Sequence, residues 1–306
     1  MPPKHLLSIY DLSAVEISNI LRDAFKLKKQ TKSKAFEGKT LGLIFDKPST
    51  RTMVSFMVAM KQLGGFPMVL DANNLQRKRG ESIHDTALAL SQYLSGLMIR
   101  TFKHSDVEEF AAHATIPVIN GLTDAEHPCQ ILADLMTIME LKKIKKAEGL
   151  KKFKIVFMGD SNNVANSLLA ASAVLGLNFT LITPAAYAPD KKLLDKAALY
   201  ARKSGAKIAI TSDISKAKSA DVLYTDVWVS MGDEKDAAKR QALFKPYQIN
   251  SKITALAAPK CNVLHCLPAV RGAEITAEIM ECYKKDIFLQ AQNRLHAQKA
   301  VLAHLL

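Results

Sequence analysis

Leu41-Gly42-Leu43-Ile44-Phe45, followed after Asp46 by Lys47-Pro48-Ser49-Thr50-Arg51-Thr52, is the stretch that decides how the chain reads. The first five residues are an apolar run short enough for a buried strand. Beyond the polar hexad, Met53, Phe56, Met57, Met60 and Leu63 recur at helical spacing. The hexad therefore sits where a strand hands over to a helix. Pro48 breaks the strand, and Ser49 or Thr50 can cap the helix. A helix start offers free backbone N–H groups and about half a positive charge, which suits a phosphate. Arg51 adds a planar fork that binds phosphate oxygens in pairs. The competing reading of the hexad alone is an ordinary helix cap with a surface arginine.

Outward from this stretch, the first half alternates short strands with helices. Residues 13–30 read as an amphipathic helix with Ser13 as cap and Glu16 at the capping-box position. Gly64-Gly65 ends the helix 52–63, and Phe66–Leu70 is the next strand. Residues 73–82 are polar and loop-like. A helix over 83–95, a strand ending in Arg100 and Thr101, a helix over Val107–His113 and a strand over Pro117–Asn120 follow. Glu126-His127-Pro128-Cys129-Gln130 then precedes a long helix from Ile131 to about Lys145. This alternation means a parallel sheet covered by helices. Ligands in such sheets sit beyond the carboxyl ends of strands, where Arg51, Arg100, His127 and Gln130 gather. A lone histidine is more often a core or cap residue; three donor sets at three strand ends are harder to dismiss. No Asp, Glu or His cluster has metal spacing, so no metal is expected.

The second half repeats the pattern. Phe153–Met158 is a strand, followed by Gly159-Asp160-Ser161-Asn162-Asn163 and a helix to about Leu175. The start resembles a dinucleotide-binding unit but lacks G-x-G-x-x-G, and Phe179–Thr183 ends without an acidic ribose partner, so nicotinamide binding is disfavoured. The strands Lys207–Thr211, Val222–Thr225 and Val263–His265 come next. The last two lead into Asp226-Val227-Trp228-Val229-Ser230-Met231-Gly232 and His265-Cys266-Leu267-Pro268. The last helix, roughly 288–304, carries Arg294 and His296.

At 306 residues the chain exceeds the usual single-core limit, so two domains are expected. They are placed at 1–131 with the C-terminal helix about 288–306, and at 132–287. No apolar run reaches about 18 residues, so no membrane span is expected, and Met1–His5 opens no signal-peptide apolar stretch. Four cysteines without a CxxC pair read as reduced thiols in a cytoplasmic protein. The formal charge of +13 invites a nucleic-acid reading. Its lysines, however, fall in short runs at helix ends and loops with no interleaved aromatics, so solvated helix faces explain them better. The surplus still steers small anions toward the protein.

Taken in order, Ser-Thr-Arg-Thr (49–52), His-Pro-Cys-Gln (127–130), Asp-Val-Trp-Val-Ser-Met-Gly (226–232), His-Cys-Leu-Pro (265–268) and Asn-Arg-Leu-His (293–296) resemble the aspartate/ornithine carbamoyltransferase family. The resemblance runs from about residue 5 to the C-terminus. The Ser-Met-Gly stretch favours the ornithine branch. It implies two doubly wound α/β parallel-sheet domains with the active site in the cleft between them, assembled as a homotrimer without a cofactor. It implies transfer of the carbamoyl group of carbamoyl phosphate to the side-chain amine of L-ornithine, giving citrulline and phosphate, as in arginine biosynthesis. Another amine acceptor, such as putrescine, is the alternative.

Carried over by residue, the resemblance implies that Ser49, Thr50, Arg51 and Thr52 hold the phosphate, with Gln76 reaching a neighbouring subunit's phosphate site. Arg100, His127, Pro128, Cys129 and Gln130 face the carbamoyl end. Asn163 (or its neighbour Asn162), Asp226, Ser230 and Met231 hold the amino-acid end of ornithine. Cys266, the Leu267 backbone and Arg294 surround the reacting groups. Arg51, Thr52, Arg100, His127 and Cys266 are the expected catalytic set. The chain departs from the family at Met53 and Met57, where Arg and Glu are usual. Both stand at i and i+4 on one helix, so an ion pair is exchanged for an apolar pair without stranding a charge. Val270 and Gln292 likewise replace a usual His and Glu.

Overall fold

A computed structural model describes residues 3–71, 74–229 and 236–306. The chain divides into two compact units, residues 1–136 with 293–306 and residues 137–292. The first unit holds a four-stranded parallel sheet of β1 (Thr40–Phe45), β2 (Phe66–Asp71), β3 (Gly96–Arg100) and β4 (Val118–Leu122), in the order β2-β1-β3-β4. Around it lie α1 (Ala14–Lys28), α2 (Thr50–Gln62), α3 (Ile83–Ser91) and α4 (His104–His113). α5 (Pro128–Leu141) carries the chain onward, and the division between units falls inside it. Ile44, Leu97, Ile99, Val107, Phe110 and Val118 form part of this unit's core.

The second unit has five parallel strands, β5 (Lys154–Met158), β6 (Asn178–Ile182), β7 (Lys207–Thr211), β8 (Val222–Thr225) and β9 (Asn262–His265). Their order is β7-β6-β5-β8-β9. Helices α6 (Asn163–Leu175), α7 (Lys191–Ser204), α8 (Ala237–Phe244), α9 (Ser251–Leu256) and α10 (Ala277–Cys282) follow in order. α11 (Lys284–Leu305) returns the chain, from Asn293, to the first unit. α6 is buried almost all round, and it carries small and apolar side chains on nearly every face, because α7 as well as β6 and β7 pack against it.

Local chemistry explains the element boundaries. Ser13 and Glu16 make both bonds of the expected capping box, and α1 starts between them. α4 begins at His104 rather than Val107, because Asp124 Oδ1 accepts the His104 N–H at 2.9 Å. α5 begins three residues before the expected Ile131, with Pro128 in the first-turn position that tolerates a missing N–H. It stops at Leu141, short of Lys145, where Lys143 turns left-handed at φ 56°. The stretch expected to be plain loop at 73–82 contains one short turn of helix, Gln76–Arg79. Ser49 occupies the N-cap of α2, but its side chain makes no capping bond. Its hydroxyl is not spent on the helix.

Candidate active site

In each sheet the strand order reverses once, and such switch points open crevices at the carboxyl ends of strands. In the first unit the reversal lies between β1 and β3. Ser49–Thr52 follow β1 there, and Arg100 ends β3, paired in register with Phe45. Ser49 is half-buried, while Thr50 and Arg51 are exposed at the α2 start. Three bonds knit the next layer. The Thr52 hydroxyl accepts from Arg294 Nη2 at 2.9 Å and from Arg100 Nη1 at 3.4 Å. Arg294 Nη1 also donates to the Gln130 amide oxygen. Gln130 Nε2 in turn donates to Asp134 Oδ1 at 2.8 Å, one helical turn along α5.

These four residues are almost fully enclosed: Thr52 is 1%, Gln130 1%, Arg294 4% and Arg100 9% exposed. Two guanidiniums so deep in the protein favour an anion beside them. The Thr52 oxygen has both lone pairs occupied by them, which leaves its own proton to donate. His127 lies in the same neighbourhood. Burial, and then the positive charges of Arg294 and Arg100, hold its pKa well below that of a free imidazole, so it is neutral at pH 7. Pro128 opens α5, and the Cys129 side chain is fully buried. Its thiol points at the Asn120 carbonyl, 3.7 Å away, and burial pushes its pKa up to about 12. The Cys129 thiol is thus turned into the core and stays a neutral thiol at pH 7. Gln76 is exposed in its short helical turn.

In the second unit the reversal lies between β5 and β8. Gly159, at φ 136°, turns the chain out of β5 in a conformation that suits glycine. Asn162 caps α6 by accepting from Val164 N–H at 3.0 Å and Ala165 N–H at 3.1 Å. The same side chain donates to Asp226 Oδ2 at 2.7 Å, just beyond β8. Asn163 is the first residue of the helix. The structure thus joins Asn162 with Asp226, the weaker of the two asparagines on sequence grounds. Ser230 and Met231, with Gly232, lie outside the described residues.

Next to Asp226, His265 and Cys266 bring ligand-type atoms within 4.8 Å of it and of one another. The imidazole is already committed. Nδ1 accepts the Leu267 N–H at 2.9 Å, so Nε2 carries the proton and faces Glu274 Oε1 at 3.0 Å. Glu274 Oε1 also accepts the Val270 N–H at 2.6 Å. An ion would have to break one of these bonds to gain the ring. Their geometric effect is clear: they hold Leu267 at φ 60°, a backbone region that leucine seldom enters, immediately after the half-buried Cys266. Arg240, on α8, braces the same end of the sheet. It ion-pairs with Asp160, donates to the Trp228 carbonyl at 2.7 Å, and lies 4.8 Å from the Tyr187 ring centre.

Asp134, Glu274 and Arg240 were not singled out from the sequence. Gln130 and Asp134 stand at i and i+4, a spacing that does signal contact on a helix. Glu274 and Arg240 carry no such local signal.

Comparison with known proteins gives these sites a family. Residues 4–140 match the carbamoyl-P binding domain of the aspartate/ornithine carbamoyltransferases. Residues 151–305 match their Asp/Orn binding domain. An ornithine carbamoyltransferase of Methanosphaera stadtmanae is 50% identical over 304 residues, covering 99% of both chains. One of Bacillus thuringiensis is 49% identical over 303 residues, covering 99% of this chain and 94% of that one. Among solved structures, the anabolic ornithine carbamoyltransferase of Campylobacter jejuni superposes with a TM-score of 0.93 at 39% identity, covering 99% of this chain and 98% of that one. That of Pyrococcus furiosus gives 0.92 at 46% identity, covering 99% and 96%. The chain belongs to the aspartate/ornithine carbamoyltransferase family.

Proposed function

We propose that this chain is an enzyme that transfers the carbamoyl group of carbamoyl phosphate to the side-chain amine of L-ornithine, releasing L-citrulline and phosphate. The observation that carries the reading is the buried Arg100–Thr52–Arg294–Gln130 network beside a neutral His127. It offers charge and directed donors to one small anion with a carbonyl attached.

In this reading Ser49, Thr50, Arg51 and the first N–H groups of α2 bind the phosphate, whose charge the helix start complements. The Thr52 hydroxyl, Arg100 and neutral His127 donate to the carbonyl oxygen. Attack by the amine makes that oxygen negative, and donors already in place stabilise it without reorganising. Gln130 is held by Arg294 and Asp134 and keeps its second amide hydrogen for the carbamoyl end. The C–N bond forms as the carbonyl electron pair moves onto oxygen; the return of that pair breaks the C–O bond to phosphate, and the amine proton leaves with the phosphate. An alkyl amine has a pKa near 10.4, so presenting it neutral at pH 7 costs about 4–5 kcal/mol at about 1.4 kcal/mol per unit. Holding both reactants in line contributes roughly 7–11 kcal/mol, so positioning outweighs deprotonation. No protein nucleophile is required. Asp226, oriented by Asn162, pairs with the α-amino group of ornithine, alongside Asn163, Ser230 and Met231. A carboxylate there favours an acceptor with a free amino group at that end over one acylated there, such as N-acetylornithine. Cys266 and Leu267 line the amine's approach.

We also propose a homotrimer in the cytoplasm. Edge strand β2 exposes Phe66 at 60%, Met68 at 40% and Val69 at 42%, and neighbouring α2 exposes Val54 at 50%. An apolar edge of this kind calls for a cover, and a second copy there would also bring an exposed Gln76 toward another phosphate site. Four free thiols suit a reducing compartment. No helix among the described residues is long and apolar enough to cross a membrane.

Carbamoyl phosphate binds first and ornithine second, because the phosphate brings the negative charge that the two guanidiniums favour. A phosphonate joined to ornithine tests this by calorimetry. It should bind at least a hundredfold more tightly than either fragment. Affinity no better than that of the tighter fragment, or tight ornithine binding that carbamoyl phosphate leaves unchanged, refutes the reading.

A further inference from the structure

The turn that presents His127 is fastened to a distant part of the chain. Leu6 N–H donates to the Val118 carbonyl at 2.9 Å, and Asn120 N–H donates to the Leu6 carbonyl at 2.8 Å. The N-terminal segment thereby runs parallel along the outer edge of β4. Two residues on, it reaches Glu126, the residue directly before His127. The Ser8 hydroxyl donates to Glu126 Oε1, and the Ile9 N–H donates to Oε2 at 3.1 Å. Asn120 Nδ2 adds a bond to the Leu7 carbonyl at 2.8 Å. Within the turn, Thr123 N–H donates to the Glu126 carbonyl at 3.0 Å, and Glu126 N–H donates to Thr123 Oγ1 at 3.3 Å.

Glu126 is only 7% exposed. A carboxylate so enclosed is costly unless its oxygens are bonded. Ser8 and Ile9 meet that need from a single strap. An enclosed charge with two directed bonds is also a stiff anchor, because every displacement loosens a bond it cannot replace from water. His127 is the next residue and has to aim one N–H at one oxygen. Donors that act on a transition state must be held to within about 0.5 Å, and a misplacement of about 1 Å costs on the order of a hundredfold.

We infer that Glu126 and Ser8 are positioning residues for His127: the buried carboxylate, gripped from both oxygens by the N-terminal strap, fixes where the 123–127 turn presents the imidazole. The kinetic part of this inference rests on the carbamoyl-transfer reading; the structural part does not.

The test uses the full chain and its Glu126→Ala, Glu126→Gln and Ser8→Ala variants. Citrulline formation and amide hydrogen exchange are measured well below the melting temperature. Glu126→Ala should lower kcat by about tenfold to a hundredfold and leave KM for ornithine within twofold, since Asp226 and Asn162 belong to the other unit. Glu126→Gln keeps one acceptor oxygen and should recover much of the loss. Ser8→Ala, the mildest change, should cost about threefold and decides the matter if Glu126→Ala fails to fold. Exchange should quicken at 120–127 in each variant and stay unchanged around 49–52 and in the second unit. A folded Glu126→Ala with kcat within twofold of wild type overturns the inference. So does a loss shared equally by kcat and ornithine KM, or exchange that rises everywhere or nowhere. A wild-type chain that makes no citrulline defeats the transfer reading instead, and the exchange data still judge the strap.

Discussion

Replacing Thr52 by valine keeps the shape of the side chain and removes one oxygen. That oxygen accepts from Arg294 at 2.9 Å and from Arg100 at 3.4 Å, in a residue only 1% exposed. A hydrogen bond to a charged donor contributes about 1.5–3 kcal/mol, and the longer bond adds a fraction of that. The added methyl returns about 0.8 kcal/mol of apolar burial. The net loss is about 1.5–2.5 kcal/mol. At about 2–4 °C per kcal/mol for a unit of this size, melting should fall by about 3–10 °C. In the proposed reaction the variant also lacks the Thr52 hydroxyl donor to the carbonyl oxygen, and kcat should drop on the order of a hundredfold to a thousandfold. Thr52→Ser keeps the oxygen and should stay close to wild type in both. Scanning calorimetry and a citrulline assay on the three proteins decide the point. A Thr52→Val variant that melts and turns over like wild type would show that the hydroxyl neither organises the guanidiniums nor touches the reaction.

Arg51→Ala should abolish carbamoyl-phosphate binding in calorimetry while leaving the melting temperature unchanged, because the side chain is exposed; early melting would make Arg51 structural, and normal binding would remove it from the site. Acid should weaken the fold through His127. Below the free imidazole pKa of about 6.5, the unfolded chain binds a proton that the folded residue refuses, so stability falls as pH falls, by about 1.4 kcal/mol per pH unit for that group. His5 and His304, whose pKa values are also lowered by burial, act in the same direction. Urea unfolding of His127→Asn between pH 5 and 7 should show a shallower decline than wild type, and equal slopes would contradict the assignment.

Much of the fold was legible because its signals are local. Short apolar runs gave the strands, and a capping box gave the start of α1. Boundaries set at longer range were not legible: α4 starts early because Asp124, twenty residues on, accepts the His104 N–H. The same division holds at the site. Ser49–Thr52 announce themselves by a strand-to-helix handover. That Arg294 lies on the Thr52 hydroxyl, 242 residues away, follows only from the return of the last helix to the first unit. Spacing alone could not show that Asn162, rather than Asn163, both caps α6 and bonds Asp226, because Asp226 lies 64 residues on. Glu126 looked like a neighbour of the histidine motif and nothing more, because its partners lie in residues 8 and 9.

The most direct measurement of the central claim is product formation from carbamoyl phosphate with four amines: L-ornithine, putrescine, N-acetylornithine and L-aspartate. The expected result is citrulline from ornithine, with kcat/KM at least a hundredfold above each other amine, since only ornithine joins a free side-chain amine to both an α-amino group for Asp226 and an α-carboxylate. Equal or better turnover of N-acetylornithine would contradict the role of Asp226, equal or better turnover of putrescine would contradict ornithine as the preferred acceptor, and no carbamoylated product from any amine would contradict carbamoyl transfer altogether.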